Sequence, residues 1–168
     1  MKTFEFIIRP AIIEDAEAIY DLLNEVGTEK DTYFILKSEE RSVEQIKGLI
    51  RQQIHNRSLM LVAETPEEIV GVLGFIGGMF DRLFHVIEVG MAIKKEFRKA
   101  GIGSTLLREG INWARKKGYH RLELGVLANN EQAISLYKKF GFQEEGRRKD
   151  RYRIDDKWVD EILMAKLL

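Results

Sequence analysis

One stretch limits the fold more than any other. Residues 86–93 are β-rich, residues 102–117 carry apolar side chains at helical spacing, and residues 121–126 are β-rich again. Strand, helix and strand in that order require a parallel pair joined by a right-handed crossover. Leu106, Leu107, Gly110, Ile111 and Ala114 share one face of the helix, and Gly118 marks its stop. Upstream the signals are different. Residues 4–8 read as a first strand ending at Arg9-Pro10, and residues 14–26 as a helix with Gly27 as its stop. Ser42 with Gln45 three residues later forms a capping box for a second helix. Residues 59–64 and 70–76 flank the turn-like Thr65-Pro66-Glu67-Glu68 and predict a hairpin. A last helix over 130–140 stops at Gly141, and strands over 142–144 and 158–165 close the chain. The expected class is α+β, an antiparallel meander feeding one parallel βαβ crossing.

At 168 residues the chain fits one domain, 1–168, with one core. Lysine plus arginine equals aspartate plus glutamate at 27 each, so no net field draws it to nucleic acid or to an anionic membrane. The absence of cysteine excludes disulfides, thiolate metal sites and a cysteine nucleophile. The apolar patch in MKTFEFIIRP is too short for a signal sequence, and no apolar run is long enough to span a bilayer. A cytoplasmic location is the expectation.

Between the strand and the crossover helix stands Arg98-Lys99-Ala100-Gly101-Ile102-Gly103-Ser104. A nucleotide-triphosphate loop needs G-x-x-x-x-G-K-[ST], which does not occur. A dinucleotide fingerprint needs a third glycine where Leu106 stands, directly after a strand, and fails despite Glu123 lying about 20 residues on. Two readings stay open for the string itself. In one, a tight turn carries solvated cations. In the other, a helix N-terminus presents consecutive N–H groups to a pyrophosphate.

The downstream run from Asn130 to Phe142, N-x-x-A-x-x-x-Y-x-x-x-G-F, bears on that choice. With both motifs in place, the chain resembles the GNAT superfamily of acyl-CoA-dependent N-acetyltransferases. Arg98 to Gly103 fit the family's R/Q-x-x-G-x-G/A coenzyme A motif, and Ile8-Arg9-Pro10-Ala11 with Asp15 fit its opening. The resemblance covers nearly the whole chain. It implies a mixed, mostly antiparallel sheet with helices on both faces, and transfer of an acetyl group from acetyl-CoA to a primary amine in a ternary complex. The acceptor would be a small molecule of amino acid or polyamine type, or a peptide N-terminus. A non-catalytic acyl-CoA-binding domain is the alternative, and the family often forms homodimers.

The resemblance further implies that the amides of Lys99, Ala100, Gly101, Ile102, Gly103 and Ser104 hold the pyrophosphate, with Arg98 adding charge nearby. The pantetheine arm would pair with the backbone of Met91, Ala92 and Ile93 as an added strand. Asn130 would bond the cofactor's amide region, and Lys139 would meet a phosphate. Tyr137 would act as acid toward the departing thiolate; its phenol, of ordinary pKa ~10, lies above a thiol at ~8.5. By spacing alone, Tyr137 reads sooner as a core aromatic.

Glu88 is the candidate base, acting directly or through a water, because a carboxylate inside Val86-Ile87-Glu88-Val89 is out of place in a buried strand. Strand alternation to solvent, or a cation partner, accounts for it equally well. His55, His85 and His120 lack ligand spacing, so no metal is expected. Tyr33 and Phe34, in the irregular 28–41 segment, are candidate substrate-wall residues. The basic run 147–153 is read as a charged hairpin edge rather than a nucleic-acid site.

Overall fold

A computed structural model describes residues 4–29, 41–53 and 57–168. The described strands are β1 (Ile7–Pro10), β2 (Ser58–Glu64), β3 (Ile69–Gly77), β4 (Val86–Ile93), β5 (Arg121–Leu127), β6 (Gln143–Ile154) and β7 (Lys157–Leu167). The helices are α1 (Ala16–Thr28), α2 (Val43–Gln52), α3 (Ile102–Lys116) and α4 (Glu131–Lys139). The strands form one sheet in the order β1-β2-β3-β4-β5-β7-β6. Neighbours run antiparallel except β4 and β5, which α3 joins as the parallel pair that the crossover required. No helix among the described residues is long and apolar enough to cross a membrane.

The two sheet faces are covered by different helices. On one, Leu73, Phe75, Ile87 and Leu122 pack against Leu106, Leu107 and Ile111 of α3, all buried. Helix and sheet approach closely there: a Cβ on Gly110 would lie 2.8 Å from both Leu73 and Phe75. On the other, Val62 and Val72 pack against Ile19 and Leu22 of α1 and Ile46 of α2. Strand alternation sends odd-numbered β4 residues to the α3 face and even-numbered ones to the α1–α2 face.

Local chemistry explains several boundaries. Ser42 and Gln45 make the reciprocal capping box at the start of α2, with bonds of 3.2 and 2.8 Å. Arg9 holds Asp15 at 2.7 and 2.9 Å and Glu64 at 2.7 and 3.1 Å, tying β1 to β2 and to the entry of α1. That fork keeps the nearly buried Asp15 carboxyl below its ordinary pKa. It gives the I-R-P-A opening a structural role.

Three boundaries depart from expectation. β1 starts at Ile7 rather than at residue 4 and takes in Arg9 and Pro10, because its ladder with β2 pairs only Ile7 to Pro10. α1 continues through Gly27 to Thr28, because the buried Val26 still packs on the core and outweighs one glycine's propensity cost of about 1 kcal/mol. β6 runs for twelve residues rather than three. Its side chains are mostly exposed, so it carries no apolar alternation, and only backbone pairing with β7 makes it a strand. The basic run does form the hairpin edge.

Candidate functional site

The parallel register of β4 with β5 covers only Val86, Ile87 and Glu88 against Arg121, Leu122 and Glu123. Beyond it β4 stays paired with β3 to Ile93, and β5 stays paired with β7 to Leu127. The two strands diverge, leaving facing edges of backbone at the centre of the sheet. A cavity of about 760 Å³ passes through this opening, large enough for a sizeable ligand.

At one end of the opening lies the start of α3. Gly101 sits at φ +85, a left-handed conformation that suits glycine, and Lys99 reaches φ 61 as well. The first bond that α3 closes is Thr105 N–H to the Gly101 carbonyl, at 3.0 Å. The amides of Lys99 to Ser104 find no acceptor among the described residues. Unpaired amides at the positive end of a helix dipole form an anion-binding surface. Gly103 has a separate reason for its missing side chain: a Cβ there would meet Ile93 and Leu136 at 3.2 Å. That glycine therefore serves packing as well as lining the cavity.

The candidate residues converge in part. Glu88, Met91, Ala92, Ile93, Arg98, Lys99, Gly101, Gly103, Ser104, Asn130, Tyr137 and Lys139 all line the cavity. Ala100 and Ile102 do not; the Ile102 side chain is buried in the core, so only its backbone faces the turn. Tyr33, Phe34 and His55 lie outside the described residues. Arg98 spends its guanidinium on Glu29 and its Nε on the Ile93 carbonyl at 2.9 Å. Asn130 uses its Oδ1 to cap α4 through Ala133 N–H, at 3.1 Å, and retains its amide N–H groups.

Tyr137 is 6% exposed and packs against Phe142 with ring centroids 5.6 Å apart. The ring is therefore a core aromatic, as its helical spacing suggested. Its hydroxyl finds no protein partner among the described residues, and no buried side-chain polar atom there is left unsatisfied, so the hydroxyl opens on the cavity. Burial pushes its pKa up to about 12. Glu88 is exposed, on the α1–α2 face, in register with Glu123. His85 and His120 stand 6.2 Å apart between ring centroids at the start of the parallel pair, away from the cavity lining. Among the described residues no group of three metal-ligating side chains is assembled.

The family model described as the acetyltransferase (GNAT) family matches residues 17–142, which contain both the turn at Gly101 and the helix that carries Tyr137. The chain belongs to the GNAT family of acetyltransferases. This GNAT acetyltransferase is 34% identical over 111 residues to an L-amino acid N-acetyltransferase of Escherichia coli K12, covering 64% of the chain and 67% of that relative. It is 36% identical over 75 residues to the ribosomal protein bS18-alanine N-acetyltransferase of the same organism, covering 45% of the chain; the match spans 51% of that relative's length. Among solved structures, a GNAT acetyltransferase from Streptococcus pneumoniae superposes with a TM-score of 0.90 at 31% identity, covering 98% of this chain and 100% of that one. An acetyltransferase from Salmonella typhimurium with its cofactor acetyl-CoA shares the fold, with a TM-score of 0.87 at 22% identity, covering 97% and 94%.

Among the cavity residues of this GNAT acetyltransferase that sequence reasoning missed, Glu161 carries a buried charge. It is 5% exposed on β7, and it lines the opening with Tyr152 and Gly125. A signal existed. Gly74, Gly90 and Gly125 interrupt three strand interiors, and glycine in a strand marks close approach by a ligand or another group.

Proposed function

We propose that this protein transfers an acetyl group from acetyl-CoA to a primary amine within a ternary complex. The observation that carries the reading is the Tyr137 hydroxyl at a sheet opening whose far end presents the free amides of Lys99 to Ser104. The residues fit the cofactor. A strand edge from Val89 to Ile93 without a partner on the β5 side suits an extended amide-bearing arm, although the Ile93 carbonyl is already taken by Arg98. The α3 amides suit a pyrophosphate, Asn130 has N–H groups to offer an amide, and Lys139 suits a phosphate.

Bound there, acetyl-CoA supplies an activated thioester carbonyl. The protein's task is to hold the acceptor, remove a proton from its ammonium, and stabilise the leaving sulfur. Glu88, on the face opposite α3, takes the ammonium proton directly or through water. The neutral amine then forms the C–N bond as the C–S bond breaks; one of its two N–H protons ends on sulfur through solvent, and the other stays on the amide. A phenol held near pKa 12 stays protonated throughout, but complete proton transfer from it to a thiolate of ~8.5 runs uphill by several kcal/mol, at ~1.4 kcal/mol per unit. Tyr137 therefore acts as a hydrogen-bond donor to the developing thiolate rather than as a free proton source.

The acceptor class follows the relatives, whose names give L-amino acids and ribosomal-protein alanine; both present an α-amine. The test is thiol release from acetyl-CoA with pools of amino acids, polyamines and short peptides. Tyr137→Phe is expected to lower turnover on the order of 100-fold while acetyl-CoA still binds. If acetyl-CoA binds and no pool releases thiol above background, the domain is an acyl-CoA-binding module instead.

A further inference from the structure

The carboxylate of Glu161 is buried on β7, where β6 supplies its partners. Directly opposite Leu127 on β5, it shares the α1–α2 face with Gly125 and lies on the same side of the sheet as Glu88. A buried charge is costly unless paired, and an apolar side chain of the same size would fill this position without that cost. Its pairing is lopsided. Oε2 takes Arg148 at 2.9 Å and lies 3.7 Å from Arg151. Among the described residues Oε1 takes only the Tyr152 hydroxyl, at 2.8 Å, and a carboxylate oxygen has room for a second donor.

Gly125 makes this room usable. A Cβ on that residue would lie 2.2 Å from Glu161 Oε1 and 2.9 Å from its Cδ, so only glycine lets the carboxylate lie against β5 there. Gly125 itself is exposed to the cavity, on the part of β5 that has left β4. Across the opening, Gly90 of β4 is likewise exposed, with nothing within 4 Å of where its Cβ would be. Two bare strands thus form the floor, with one fixed carboxylate on the β7 side and the exposed Glu88 on the β4 side.

We infer that Glu161 is the acceptor-binding residue: its Oε1, set against Gly125 by Tyr152 and Arg148, receives a hydrogen bond from the acceptor's ammonium and holds that nitrogen at the sheet opening. This assignment rests on the acetyltransferase reading and extends it. Glu161 grips the incoming cation, and Glu88 removes its proton. Burial and the bond to Glu161 keep the Tyr152 phenol above its ordinary pKa, so it remains a donor to the carboxylate.

The experiment measures acetyl-CoA affinity by calorimetry, and steady-state kinetics with the twenty L-amino acids, spermidine and trialanine as acceptors. Glu161→Gln is expected to raise KM for the fastest of these acceptors at least tenfold, with acetyl-CoA Kd within about twofold of wild type. Gly125→Ala, which pushes the carboxylate aside without touching its charge, is expected to move KM in the same direction. Glu161→Asp should fall between wild type and Glu161→Gln. An acceptor KM within twofold of wild type in both Glu161→Gln and Gly125→Ala would overturn the assignment alone. A merely structural role for Glu161 would also overturn it, and would appear as parallel losses of acetyl-CoA affinity and melting temperature. Wild-type protein that fails to bind acetyl-CoA, or binds it and turns over none of the acceptors, would overturn the acetyltransferase reading and this assignment together.

Discussion

Arg98 holds Glu29 in a two-pronged ion pair, Nη1 to Oε2 at 2.8 Å and Nη2 to Oε1 at 2.7 Å. With its Nε on the Ile93 carbonyl, one side chain ties the end of α1 to the end of β4 and to the turn that opens α3. The first cation of the coenzyme A motif is thus a brace for that turn. Its charge is largely spent inside the protein.

Glu29→Gln and Arg98→Gln should therefore destabilise to a similar degree, each by about 2 kcal/mol, because each leaves a partly buried charge without its fork. Chemical denaturation measures this. If Arg98 were chiefly a phosphate contact, Glu29→Gln would release it and tighten acetyl-CoA binding; tighter binding with an unchanged denaturation midpoint would refute the brace.

The amides at the start of α3 call for a variant that leaves the fold intact. Ser104 lies in the first turn of the helix and lines the cavity. A carboxylate in a first turn is favoured by the helix dipole, by ~0.3–1 kcal/mol, so Ser104→Glu should keep or slightly raise the melting temperature. The same charge repels a pyrophosphate, and acetyl-CoA affinity by calorimetry should fall at least about tenfold, the effect of some 1.4 kcal/mol of repulsion. Unaltered affinity would remove the pyrophosphate from this turn.

Tyr137 has a pH signature. Burial favours its neutral form, and the folded pKa is pushed up to about 12 from the ordinary ~10. A group whose pKa is raised on folding contributes stability that is complete below its unfolded pKa. That contribution is lost as pH rises from about 10 toward 12. Urea midpoints followed from pH 8 to 11.5 should fall steeply for wild type and more gently for Tyr137→Phe. Tyr119 and Tyr152, also raised by burial, retain part of the slope in both. Parallel curves for the two proteins would show that the Tyr137 phenol is not desolvated.

Much of the site was legible because its parts are local. The capping box at Ser42, the glycine turn before α3 and the cap at Asn130 each depend on residues within a few positions of one another. The β4–α3–β5 crossing follows from the order of its elements and the handedness of L-residues. Both motif runs could therefore be read as helix starts beside a parallel pair, and Tyr137 could be placed on the apolar side of its helix.

What the chain alone determined was the α+β class, the crossover, the glycine turn before α3 and the tyrosine's helix, all set by short-range periodicity and turn chemistry. Tertiary structure decided where β4 and β5 part, after Glu88 and Glu123, because strand pairing is a contact between segments far apart in the chain. It decided the length of β6, whose exposed side chains leave only backbone pairing to define the strand. It also turned Arg98 inward to Glu29 and brought the Glu161 carboxylate against Gly125. Those contacts join residues far apart in the chain, and their energy comes from charges that must find partners once burial has removed their water.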